Sequence, residues 1–230
     1  MATTYETTGR PAGPLPRAAR TVDRWGLVVG VIWFVGNIWL AVLFTTPADG
    51  PYAWTGPASD SLGLVTTLAV IPVVAGLLTV CGHRPGLGAI TALVIVALVA
   101  MAAVQLAYVL GLVSFAASVD SAYAGLLILF GWLLAVGRAG RTSGRLPRQV
   151  AGCGIALGTT GLAGAVLLMA SAATTDGSLA HAVTFGSGAL LTGPVYAAFP
   201  VWLIVLSYRL PGHVAGLTLG LGQPGALERG

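Results

Sequence analysis

Two sets of residues in this chain have the chemistry to act on another molecule. The first is Asp60, Asp120, Asp176 and His181, three carboxylates and an imidazole. Gathered in space they would form an acid/base pair or part of a metal site. Each stands near the end of an apolar run, so the plain alternative is a solvated loop charge, and that is the role expected. The second set, Asn37, Pro72, Gln105, Pro194 and Tyr196, lies inside apolar runs. An amide within hydrocarbon seeks a partner, and a proline frees a backbone carbonyl, so these residues could line a substrate path. Their simpler role is structural: the amides fix helix register and the prolines bend helices. Gly193-Pro194-Val195-Tyr196 sets a hydroxyl beside such a break, and an intramembrane site would be sought there first.

Other chemistries are set aside residue by residue. All 11 basic residues are arginines, which excludes a Schiff-base lysine and a Walker A loop. His83 and His213 are flanked by glycine and proline at the ends of apolar runs, whereas a bis-histidine haem needs them on facing helices within the bilayer. Cys81 and Cys153 lack CxxC spacing, so neither a disulfide nor a redox pair is expected, only two small apolar side chains. Gly220-Leu221-Gly222-Gln223-Pro224-Gly225 matches GxGxxG with no strand before it and a proline that blocks a following helix. Phe185-Gly186-Ser187-Gly188 lacks the first glycine of a nucleophile elbow. No cofactor and no metal is expected.

The elements that must carry these residues follow from composition. Hydrophobic residues make up 56% of the 230, charged residues only 8%, against about 25% charged in an ordinary soluble domain. A helix crossing the hydrocarbon core needs about 20 apolar residues. The sequence predicts six such spans, at about 25–46, 62–81, 86–113, 118–137, 149–173 and 183–208. The fold class expected is all-α, a single bundle of six transmembrane helices over 24–209. A disordered tail is expected at 1–23 and a flexible one at 210–230, both ends cytoplasmic. The first apolar run is too long for a signal h-region and no small-x-small site follows it, so it is read as a span.

Charge tests that topology independently. With the N-terminus inside, Arg10, Arg17, Arg20, Arg24, Arg84, Arg138, Arg141, Arg145, Arg148, Arg209 and Arg229 all fall on the cytoplasmic side. Asp49, Asp60, Asp120 and Asp176 fall outside. The longest outer connection, Pro47–Ser61, is expected to lie over the outer mouth as a lid. Gly26 and Gly30 on the first helix, and Gly154, Gly158 and Gly161 on the fifth, would let another helix approach closely. Thr45–Gly50 and Ala172–Gly177 are alike, and each precedes a helix with a central proline, a match that a chain rich in Gly, Ala and Thr produces by chance.

Three function classes remain. The leading one is a non-enzymatic inner-membrane subunit, assembly factor or partner-binding component acting through helix packing, as a homodimer or with another membrane protein. The second is a permease or exporter of a small apolar molecule, with Asn37, Pro72, Gln105, Pro194 and Tyr196 along its path. The third, least favoured, is an enzyme on a lipid or prenyl-like substrate using Asp60, Asp120, Asp176 or His181. The arginines are suited to anionic lipid headgroups. No nucleic-acid partner is expected, because no folded platform presents them. The Ala/Gly/Val/Leu-rich, lysine-free usage suggests a bacterial origin.

Overall fold

The computed structural model of the chain describes residues 14–45, 55–175 and 177–218. It contains seven helices: α1 Pro14–Thr45, α2 Thr55–Ala69, α3 Ile71–Cys81, α4 Pro85–Val109, α5 Phe115–Ser143, α6 Arg148–Ser171 and α7 Leu179–Thr218. There is no strand among the described residues. Five segments are long and apolar enough to cross a membrane: Ala58–Cys81, Gly86–Val109, Phe115–Ser143, Arg148–Ser171 and Leu179–Leu217. α1, at 32 residues, has the length of a sixth. The protein is thus an all-helical chain built for a multi-pass place in a membrane. Its outward surface agrees, with Val28, Phe34, Ile38, Leu93, Val96 and Leu190 exposed along the helices, where lipid tails would meet them.

Local sequence accounts for most boundaries. Pro85 opens α4, where a missing N–H costs nothing. Ser114 caps α5, its hydroxyl accepting from the Ala117 N–H at 3.3 Å, and Gly144 ends that helix at φ 65°, a left-handed conformation that glycine adopts without strain. Pro72 falls at the start of α3, and Val70 separates it from α2. In α7, Pro194, Pro200 and Pro211 all lie inside one continuous 40-residue helix. Both Pro72 and Pro194 are thus passed by helix, and of the two segments that look alike residues 46–50 and 176 lie outside the described residues.

The helices close into a ring in the order α1, α7, α6, α5, α4 and the α2–α3 pair, which returns to α1. Across the ring α3 packs on α5, and the buried Cys81 thiol lies 4.0 Å from the Val136 carbonyl. Val73, Val74, Leu77 and Val80 of α3 meet Phe130, Leu133 and Val136 of α5 in one continuous apolar core. α2 makes no packing contact with α5 among the described residues. The ring is solid on the α3 side and open on the α2 side.

Several boundaries differ from expectation. The 1–23 tail is helical from Pro14, since a helix continues past the membrane core wherever nothing stops it. The 210–230 tail is helical to Thr218, because Pro211 removes one hydrogen bond without ending α7. Arg138 and Arg141 ride on the last turns of α5, and the α5–α6 connection is short. Only part of the Pro47–Ser61 lid can be assessed: residues 46–54 lie outside the described residues, and from Thr55 onward the segment is helix. At the chain's arginine-rich end, the Arg145 guanidinium donates to the Val80 carbonyl at 3.3 Å, and His213 Nε2 lies 2.9 Å from the Gly144 carbonyl. Arg20 lines a small hollow there together with Pro211 and Val214.

A candidate binding site between the diverging helices

The open side of the ring holds a cavity of about 210 Å³. α1 contributes Trp33, Gly36 and Asn37, and α2 contributes Ser59, Asp60, Leu62, Gly63, Thr66 and Thr67. Leu98, Met101 and Gln105 come from α4, Ser118, Ser121, Ala122, Leu126 and Leu129 from α5, and Tyr196 from α7. By helix order the rim is polar, with Asp60, Ser59, Ser118 and Gln105 near the α2 and α5 starts and the α4 end. The floor, toward α3, is Leu98, Leu126, Leu129 and Thr66. Val70, between α2 and α3, keeps helical angles (φ −69°, ψ −27°), donating its N–H to the Thr66 carbonyl at 3.1 Å and accepting from the Val74 N–H at 3.0 Å. α2 therefore runs on into α3; the α3 part packs on α5 and the α2 part borders the cavity.

Each polar wall residue has an identifiable anchor. Pro200 has no N–H to give to the Tyr196 carbonyl one turn earlier, and the Asn37 side-chain amide donates to that same carbonyl at 3.4 Å. The Gln105 amide donates to the Asp60 carbonyl at 3.0 Å, tying α4 to the first turns of α2. A carbonyl acceptor requires the NH₂ end of each amide, so Asn37 Oδ1 and Gln105 Oε1 remain as acceptors with no protein donor among the described residues. Thr66 donates to the Leu62 carbonyl at 2.7 Å, Thr67 to Gly63 at 2.8 Å and Ser121 to Ser118 at 3.0 Å. Their hydroxyl protons are occupied and their lone pairs are not. Trp33 meets Tyr196 edge to face with centroids 5.2 Å apart. No arginine or histidine among the described residues lines the cavity.

The residues singled out from sequence divide accordingly. Asn37, Gln105 and Tyr196 share the cavity with Asp60. Pro72 and Pro194 do not line it. Asp60, expected in a loop, sits in α2, because the Pro/Gly/Ser-rich stretch before it already forms helix from Thr55. Asp120 is exposed on α5 outside the lining, and Asp176 lies outside the described residues. His181 Nδ1 lies 3.2 Å from both the Thr174 hydroxyl and the Ser171 carbonyl, and its ring stacks on Phe185, so it organises the α6–α7 corner. No group of three or more His, Cys, Asp or Glu is arranged to hold a metal among the described residues. Ser59, Thr66, Thr67, Ser121 and Trp33 carried no signal in sequence. Helical Ser and Thr that bond their own backbone look the same whether they face a cavity, a helix or lipid.

The glycines pack against this chain itself. A Cβ on Gly26 would sit 3.3 Å from the Leu203 carbonyl, and one on Gly30 would sit 2.8 Å from that of Pro200, so α1 and α7 touch backbone to backbone. On α6, a Cβ at Gly154 would meet the Trp202 indole at 3.4 Å, one at Gly158 the Leu134 nitrogen at 2.5 Å, and one at Gly161 the Phe130 ring at 2.6 Å. Trp202 is locked beside them by its N–H to the Val150 carbonyl at 2.9 Å. Comparison with protein-family models, with curated proteins and with solved structures finds no match. The functional reading therefore rests on the cavity.

Proposed function

We propose that this chain is a membrane carrier of the permease or exporter type, holding its substrate in the cavity among α1, α2, α4, α5 and α7. One observation carries the reading: Asn37, Asp60, Gln105 and Tyr196 come from four helices to one space of about 210 Å³. A single buried amide is accounted for by one interhelical bond; a ring of acceptors around a void calls for an occupant. The polar rim argues for a substrate with a polar group as well as an apolar body. In this reading α1 is a sixth crossing and both ends face the cytoplasm of a bacterial inner membrane. The gathering of Arg20, Arg145 and His213 at the end opposite the cavity supports that orientation, and the cavity then opens outward. A packing subunit drew support from the absence of charges and catalytic groups within the spans and from the glycine faces. Gly26, Gly30, Gly154, Gly158 and Gly161 meet helices of the same chain, so they do not by themselves call for a partner.

The test is native mass spectrometry of the full chain released from mild detergent, wild type beside Ala122→Trp, which fills the cavity from the α5 wall. A small-molecule adduct on the wild type that Ala122→Trp loses is the expected result. A stoichiometric protein partner without any adduct would return the chain to the subunit class.

A further inference from the structure

We infer that the ligand of this cavity is an organic monovalent cation, an ammonium or similar nitrogen cation on a compact apolar body. This deepens the carrier reading and rests on it. Among the described residues, the cavity lining includes one acidic residue, Asp60, and no basic one. A carboxylate in the first turns of an apolar helix, beside a cavity and without a cationic neighbour in its wall, is complemented by a positive charge brought by the ligand. The uncharged wall groups have the same preference. Asn37 and Gln105 each commit an N–H to a backbone carbonyl and turn an oxygen to spare, and Thr66, Thr67 and Ser121 give their protons to backbone. Such a wall accepts more hydrogen bonds than it donates, and an ammonium is a donor with no acceptor.

The rest of the cavity selects against a bare metal ion. Leu98, Met101, Leu126 and Leu129 line the floor, and about 210 Å³ is far more space than an ion needs. Trp33 and Tyr196 in the wall add aromatic surface that suits the apolar body of an organic cation. Asp120, exposed on α5 just outside the lining, adds negative charge on the rim side, and the arginines lie at the far end of the bundle. Long-range attraction therefore brings cations to the cavity and not to the opposite end.

Thermal unfolding and tryptophan fluorescence of the full chain in nanodiscs test this. The probes are phenethylammonium, its neutral counterpart phenethyl alcohol, and sodium chloride at matched ionic strength. Phenethylammonium is expected to bind saturably, with phenethyl alcohol weaker by about tenfold or more and sodium without effect. Asp60→Asn should lose about tenfold or more in affinity for the ammonium, Asp60→Glu should keep most of it, and Asp120→Asn, outside the lining, should lose much less than Asp60→Asn. Equal binding of both organic probes, unaltered by Asp60→Asn, overturns the cation while leaving the carrier reading intact. Competition by sodium alone overturns it in favour of an inorganic ion. If neither organic probe binds and Ala122→Trp changes nothing in the native spectrum, both readings fall together.

Discussion

At the scale of single residues, the clearest relation is between Asn37 and Pro200. The proline removes the hydrogen bond that would otherwise satisfy the Tyr196 carbonyl, and the amide on the neighbouring helix supplies another. The bond is long at 3.4 Å, and polar contacts between membrane helices average only about 0.6 kcal/mol, so its contribution is small. Its dependence on the proline is nevertheless testable. Asn37→Ala should lower stability in micelles by about 0.5–1 kcal/mol in the natural background. Beside Pro200→Ala the cost should be distinctly less, because the backbone N–H restored by that substitution would bond the carbonyl itself. Equal costs in both backgrounds would remove the link. The choice of Asn37, Gln105 and Tyr196 was legible in the sequence because polar groups stand out within apolar runs. The helical place of Asp60 was not, because Pro, Gly and Ser near a helix start look the same as a loop.

At the scale of elements, close approach is decided by glycine position. Gly158 and Gly152 lie on the same helix, yet a Cβ on the first would strike the α5 backbone and one on the second would meet nothing within 4 Å. Gly158→Ala should therefore destabilise by about 1–3 kcal/mol through overpacking, and Gly152→Ala should be neutral. Thermal unfolding followed by circular dichroism in detergent separates the two, and similar losses at both sites would deny that α5 and α6 meet there. The crossing made of α2 and α3 is the second deciding feature: its α3 part packs on α5, and its α2 part borders the cavity. That Pro194 leaves α7 continuous was not visible, because a proline bends or divides a helix according to what its neighbours do with the freed carbonyl.

At the scale of the molecule, the ring gives the protein two unlike ends. One collects Arg145 and His213, which tie the α5–α6 connection to α3 and α7, with Arg20 of α1 beside a hollow against α7; the other holds the cavity and Asp60. With Cys81→Ala and Cys153→Ala as background, the Ser118→Cys variant should react with an impermeant maleimide in intact cells. The Arg141→Cys variant should react only after the membrane is opened. The reverse pattern would invert the bundle and turn the cavity to the cytoplasm, and labelling of both from one side would deny the alternating topology.

The sequence by itself determined that the chain is helical and apolar enough for several membrane crossings, and roughly where those crossings lie. The bilayer imposes those features segment by segment: a run of about 20 apolar residues is needed whatever surrounds it. Only the tertiary structure decided which helix stands beside which, that Asp60 belongs with Asn37, Gln105 and Tyr196, and that a cavity separates them. In water a helix shows its inward side by an apolar stripe. In lipid both sides are apolar, and α4 is apolar all round. The facing of each helix is then set by which small and large side chains interlock, a property of pairs of helices that no single segment records.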